Sequence, residues 1–447
     1  MGFWLSRRGG FGADGASFFG ELMALISSVR GMRDLLPAET GAWRRAESAA
    51  AACFARYGYG EIRTPVVERL ELFARQLGAD TDIVQKEMYS FCDRLSGDEL
   101  CLRPEATVPT VRAAAAASLH RGGVARLWYG GPMFRHERPQ KGRYRQFWQL
   151  GAEAVGSGAP DPAIDAEQIL MLSALWAELQ IGGQVRLLIN NLGAPEERAA
   201  YRQKLSAYFR RYAGDLDAAA RNAVERNPLR ILDSKDKKTA EIARAAPKIQ
   251  ETLGDESRRH AETVQSILDA AGVEYTEEPH LVRGLDYYNL TVFEWILADD
   301  PRRQNALCGG GRYDGLSAQI GGPSLHGCGF ALGLDRLVAL ADCGDTPPPD
   351  CFLARAGAGA AYCARAAETL RAAGLSVWQH SGGGNLARQL KKADAMKTPL
   401  ALIAGGDEEA GETATIKRLQ DGAQQSAPLA RAAAAAKQMI QTGTETA

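Results

Sequence analysis

Apolar residues recur along the chain in two rhythms, and their alternation predicts most of its elements. Residues 41–57 (GAWRRAESAAAACFARY) carry apolar positions at helical spacing and predict a helix. GYGEIRTPVVE follows as a turn and a β-branched run broken by Pro65, the mark of a strand end or a sheet edge. EMYSFCD with DELCLRP, and LWYGGPMFRHE with RYRQFWQLGAEAVG, read as two pairs of strands; the second pair encloses the charged loop RPQKG. Residues 162–178 predict a helix opened by Pro162, and VRLLINN (185–191) a buried strand. Residues 194–272 lose strand character and read as a helical insertion. Strand signals return in LTVFEWIL (290–297), before a Gly-dense stretch (308–333) and the helix LDRLVALAD.

TPPPD (346–350) is a linker, since consecutive prolines favour an extended spacer. Beyond it CFLARAG, AYCARAAETLRAAG, LSVWQH, NLARQLKKADAM, PLALIAG and ATIKRL alternate strand with helix, which predicts a small α/β domain of about 90 residues. The expected organisation is an extension (1–22), a mixed domain (23–345) holding the insertion, the linker, the α/β domain (351–437) and a polar tail (438–447). The extension is Gly-rich and irregular, and Met23 is an equally good start.

Composition narrows the class. The 447 residues suit two to four domains at roughly 100–200 residues each. Apolar residues at 45% and charged residues at 24% supply a large core and exclude a disordered or collagen-like chain. No run reaches the roughly 18 apolar residues of a membrane span, and Arg7 and Arg8 precede no apolar segment of a secretory signal. The eight cysteines have no CxxC spacing, which speaks against structural zinc or a disulfide framework and for a reducing compartment, the cytoplasm. A net charge of −1 carries no global signature of a nucleic-acid binder. It is nevertheless a sum of opposed patches. Residues 121–146 hold seven Lys/Arg against Glu137 alone, residues 201–240 ten against five acids, and residues 377–397 four against one.

Five stretches carry candidate chemistry. PMFRHERPQKGRYRQFWQLGAEAVG (132–156) places several guanidinium groups around one loop; it fits a solvated hairpin tip or a cradle for phosphate, to which arginine donates paired hydrogen bonds. LVRGLDYYNLTVFEW (281–295) sets Arg283 near two adjacent tyrosines. Period-two alternation predicts that Tyr287 and Tyr288 are not both core; the pair fits one tyrosine lining a pocket or two at a half-buried sheet. ALCGGGRYDGL (306–316) fits close backbone approach or a Gly-rich turn before a helix, and is neither a Rossmann fingerprint nor a P-loop. HGCGFALGLDRLVAL (326–340) leads small residues into a helix bearing Arg336, a ligand or a surface ion-pair partner. In LRPEATVPTVRA (102–113), Glu105 and Thr107 share a face suited to an ammonium group, while Thr107 before Pro109 also reads as a helix cap.

Taken in order, these stretches resemble the histidyl-tRNA synthetases, class II aminoacyl-tRNA synthetases, from about Val29 to Leu429. VRGMRDLLP resembles the family's start, RTPVVE its motif 1 with Pro65 at the dimer interface, FRHERPQKGRYRQFWQLGAEAVG motif 2 and GFALGLDRL motif 3. LVRGLDYYN and GGGRYDGL are specific to the histidine branch. The resemblance implies an α+β fold: a class II catalytic domain with an antiparallel sheet and a helical insertion, plus an anticodon-binding domain. It implies that Arg135 and Arg336 bind the α- and γ-phosphates of ATP, with Glu137 and Arg143 holding the nucleotide. Glu105, Thr107 and Gln149 would receive the histidine ammonium; Glu153, Tyr288 and Tyr313 would surround the imidazole with Tyr287 nearby; and Arg283 would contact α-phosphate and carboxylate. Arg138 and Gln140 would read the acceptor end of tRNA(His), and Arg388, Lys391 and Lys392 would meet the anticodon arm. ATP, Mg²⁺ on its phosphates and a homodimer are implied, with no membrane partner. The charge patches then predict salt-sensitive binding of one RNA at separated basic sites.

Two departures stand out: Ala106 replaces the usual glycine, and Trp148 replaces a smaller or polar residue. The rival readings are a catalytically silent regulatory subunit of ATP phosphoribosyltransferase and an RNA-binding protein with a vestigial ATP site. Retention of Arg283, Tyr288, Tyr313 and the C-terminal domain counts against the first, and the intact motif 2 and 3 arginines count against the second.

Overall fold

A computed structural model describes residues 26–74, 87–140, 142–283, 287–298, 306–342, 344, 346–382 and 384–444. The extension 1–22 and Met23 lie outside the described residues, as do Gly284–Asp286, Lys141 and Cys343.

The described residues fall into two compact units, one within 26–36 and 42–342 and the other within 37–41 and 344–444. In the first, the described residues build an eight-stranded sheet. Five neighbours form its antiparallel centre: Ala125–Phe134, Gln146–Gly156, His326–Gly333, Ala306–Arg312 and Asn289–Leu297. Val185–Asn191 extends it antiparallel, and the two-residue strands Gly60–Glu61 and Thr276–Glu277 pair in parallel at its edges.

Alternation along Gln146–Gly156 sorts its side chains between two faces. Leu150, Ala152 and Ala154 enter a core with Trp43 and Phe54 of the helix Pro37–Arg56, and with Ile169, Leu172 and Trp176 of the helix Pro162–Glu178. The latter helix starts where Asp161 accepts the Ala163 amide at 2.9 Å and Pro162 needs no donor. The other face carries Gln149 and Glu153, so one strand serves both core and site. The insertion forms the helices Pro195–Arg210, Ala218–Arg226, Lys237–Arg244 and Asp255–Ala270. Tyr201, Leu205 and Phe209 of the first pack in one core with Tyr287, Tyr288 and Tyr313.

The Gly-dense segment is a central strand, Ala306–Arg312, not a turn: paired on both sides, it leaves little room above its glycines. The two tyrosines also depart from expectation, since both are buried. The regular strand begins only at Asn289, so period-two alternation does not govern Tyr287 and Tyr288.

In the second unit Cys351–Ala356 pairs in parallel with Val377–Gln379 and Leu400–Gly405, and the sheet continues antiparallel through Thr413–Arg418 and Gln424–Pro428. The last strand is a polar segment without a strand rhythm in the sequence. The final helix, Ala432–Thr444, runs past Lys437, where the polar tail was expected to begin.

Candidate active site

Glu153 is the centre of a buried cluster. Its carboxylate accepts from Thr107 Oγ1 at 2.6 Å, Tyr129 Oη at 3.2 Å and Tyr313 Oη at 2.5 Å. Burial pushes its carboxyl up to about 8, against the pull of these hydroxyls. Tyr287 lies beside Tyr288 and Tyr313, with ring centroids 4.7 and 5.9 Å apart. The cluster needs a bare backbone opposite it: a Cβ on Gly329, the cross-strand partner of Glu153, would fall on the Glu153 carboxylate.

Glu105 resolves the two readings of its segment. It is Glu105, not Thr107, that caps the helix Thr107–Ala116, accepting the Thr107 and Val108 amides at 2.7 and 3.1 Å. Thr107 is thereby free to turn its hydroxyl to Glu153. Burial raises the Glu105 carboxyl, and those amides oppose the rise. Ala106, also fully buried, packs with Tyr129 and Met133, so its methyl group is accommodated.

A cavity of about 390 Å³ opens beside this cluster. Arg135, Glu137, Arg143, Gln149, Arg283 and Arg336 all line it. The Arg135 guanidinium lies 5.2 Å from the Phe147 ring centroid and donates to the Pro104 carbonyl at 3.0 Å, next to Glu105. Arg143 pairs with Glu137 at 3.3 Å. Arg336 reaches across to the Ala306 carbonyl. Gln149 Oε1 is buried and has no hydrogen-bond partner among the described residues. Such an orphaned acceptor suits a donor from a ligand.

Arg283 joins the two halves. Its guanidinium lies 5.9 Å from the Tyr288 ring centroid, pairs with Glu294 and sits over Gly309, where a Cβ would strike it. Burial is the largest single influence and opposes its charge, but Glu294 together with Tyr288, Cys308 and Tyr287 outweighs it and holds its pKa above the ordinary arginine value. Arg138 and Gln140 are exposed at the hairpin loop, where Gln140 and Arg143 exchange backbone hydrogen bonds. In the second unit Arg388, Lys391 and Lys392 are exposed on the helix Leu386–Ala395, and Lys392 Nζ lies 4.2 Å from the Trp378 ring centroid.

Sequence reasoning missed several supports. Tyr129 is hidden in an apolar run. Glu294, a carboxylate interrupting the strand LTVFEW, did carry a signal. Asp335 accepts the Trp148 amide at 3.2 Å and faces Arg33 at 3.6 Å, so the N-terminal VRGMRD segment is tied to the cavity wall. Trp148 lines the cavity and packs edge-on against Trp43 with centroids 6.1 Å apart.

Residues 31–337 match the family described as histidyl-tRNA synthetase, and residues 351–439 an anticodon binding domain. The histidine–tRNA ligase of Nitrosomonas europaea is 48% identical over 405 residues, 90% of this chain and 96% of the relative. That of Dechloromonas aromatica is 50% identical over 400 residues, 88% and 92% of the two chains. The crystal structure of apo histidyl-tRNA synthetase from S. aureus superposes with a TM-score of 0.75 at 31% identity, covering 92% of this chain and all of that one. With the family match spanning most of the chain and the motif arginines gathered around one cavity, the chain belongs to the histidyl-tRNA synthetases.

Proposed function

We propose that the cavity and the Glu153 cluster together form and transfer a histidyl adenylate, making the chain an ATP-dependent histidine–tRNA ligase. The observation that carries this reading is the convergence of Arg135, Arg283 and Arg336 on one cavity, with Arg283 also 5.9 Å from the ring of Tyr288 in the buried cluster around Glu153. Histidine enters with its imidazole toward Glu153, Tyr288 and Tyr313. Its ammonium meets Glu105, Thr107 and the orphaned Gln149 oxygen. ATP occupies the arginine-lined cavity, with Arg135 at the α-phosphate, Arg336 at the γ-phosphate, and Glu137 and Arg143 at the nucleotide.

The histidine carboxylate attacks the α-phosphate, an acyl–phosphate bond forms as the α–β phosphoanhydride bond breaks, and pyrophosphate leaves. Two anions must meet, and fixed guanidinium groups offset their repulsion without reorganising during the step. The terminal ribose hydroxyl of tRNA(His) then attacks the acyl carbon and AMP leaves. No protein nucleophile takes part. Glu87 and Glu137 line the cavity and are oxygen donors of the kind Mg²⁺ accepts. Mg²⁺ held there with ATP would supply positive charge against the phosphates.

Exposed Arg138 and Gln140 suit the acceptor end, and Arg388, Lys391 and Lys392 the anticodon arm, where phosphate contacts position and base contacts specify. Among the described residues no helix is long and apolar enough to cross a membrane. The seven described cysteines are free thiols, which supports a cytoplasmic location. Val66 and Val67 beside Pro65 are exposed apolar residues and support a homodimer through this segment. A regulatory subunit without ligase activity would not need the full set from Arg135 to Arg336.

Histidine-dependent ATP–pyrophosphate exchange followed by charging of tRNA(His) tests the reading, and both should succeed. A folded protein without exchange would overturn it.

A further inference from the structure

Arg312 and Asp165 have no role in the chemistry above, yet both are almost fully buried and charged. Arg312 Nε lies 3.2 Å from Asp165 Oδ2, a second guanidinium nitrogen pairs with Asp165 Oδ1, Nη1 lies 3.1 Å from Asp314 and Nη2 donates to the Asp161 carbonyl at 2.8 Å. His260, from the insertion helix Asp255–Ala270, brings Nε2 within 2.7 Å of the same Asp165 carboxylate. Burial opposes ionisation of Asp165, but the His260 hydrogen bond and the Arg312 charge outweigh it and hold its carboxyl below the ordinary range. Arg312 adjoins Tyr313, whose hydroxyl donates to Glu153 at 2.5 Å. Tyr313 is pinned again by its amide on the Gly327 carbonyl at 2.8 Å, and a Cβ on Gly327 would strike its ring.

We infer that His260, Asp165 and Arg312 are a positioning relay through which the helical insertion sets the place of Tyr313, and so of Glu153, in the histidine pocket. The inference rests on the reading that Tyr313 and Glu153 receive the imidazole. Stability alone is a weak reason for such a network, because burying charges costs desolvation and apolar replacements are often as stable. What a paired, forked guanidinium supplies is a fixed direction. A pocket that binds through short hydrogen bonds loses affinity when its supporting residues loosen by fractions of an ångström.

The test compares Tyr313→Phe, His260→Leu, His260→Gln and Asp165→Asn in the full chain. It uses histidine-dependent pyrophosphate exchange, with thermal melting as a check of folding. His260→Leu and Asp165→Asn should raise the KM for histidine about fivefold or more, with the KM for ATP and kcat within about twofold of the parent. His260→Gln keeps an N–H donor and should restore the histidine KM to near the parent value. If Asp165→Asn does not fold, the two His260 variants decide. An unchanged histidine KM in His260→Leu, or equal rises for histidine and ATP, would overturn the relay. So would equal behaviour of the Leu and Gln variants. A Tyr313→Phe protein with unchanged histidine KM would overturn the pocket reading itself. A shifted Tyr313→Phe beside an unshifted His260→Leu would overturn the relay alone.

Discussion

Arg283 is paired with Glu294 of the strand Asn289–Leu297 while its guanidinium lies 5.9 Å from the Tyr288 ring centroid, so one cation borders both the arginine-lined cavity and the buried tyrosine cluster. Arg283→Ala should lower adenylate formation by at least two orders of magnitude, roughly 2.7 kcal/mol of transition-state stabilisation. Glu294→Gln keeps the shape but weakens the anchor, and should cost less. Single-turnover adenylate formation reads both; a near-normal rate in Arg283→Ala would remove Arg283 from the reaction.

Gly309 offers an independent way to move Arg283. The three atoms nearest to a methyl group there all belong to the Arg283 guanidinium, the far end of a flexible side chain. Gly309→Ala should therefore reduce pyrophosphate exchange about tenfold or more, near 1.4 kcal/mol, while its melting temperature stays within a few degrees of the parent. Exchange at the parental rate would mean that the place of Arg283 does not matter.

Glu153 predicts a pH signature in stability. Its folded pKa of about 8 exceeds the ordinary value of 4.5, so between these limits the native state holds a proton that the unfolded state has lost. Stability from this group is fully present at acid pH, declines as pH rises from about 4.5, and is lost above about 8. The melting temperature of the ligand-free protein should fall over that window, and Glu153→Gln should remove much of the fall. An identical profile in the variant would place the decline elsewhere.

The residues proposed to meet RNA should separate the two chemical steps. Arg138→Ala with Gln140→Ala should slow transfer to tRNA and leave pyrophosphate exchange intact. The triple change Arg388→Ala, Lys391→Ala, Lys392→Ala should raise the KM for tRNA and reduce its salt dependence, since fewer counterions are released. Filter binding across salt concentrations measures the slope; an unchanged slope would exclude those three as phosphate contacts.

Local rhythm was enough to read the helix Pro162–Glu178 and the strand Val185–Asn191 to the residue, because capping and alternation act over a few neighbours. The motif order singled out Arg135, Arg143, Arg283 and Arg336, which the fold gathers around one cavity. The same rules failed where distant segments decide. Tyr287 and Tyr288 are both buried because Tyr313 and the insertion close over them, not because of their own spacing. Thr107 is turned to Glu153 because Glu105 takes over the helix cap. Tyr129, Glu294 and the Asp165–Arg312–His260 network acquire their roles only when strands and helices far apart in the chain are brought within hydrogen-bonding distance. Chain neighbours dictate whether a backbone coils or extends; what a buried polar group can do depends on the partners that folding delivers to it.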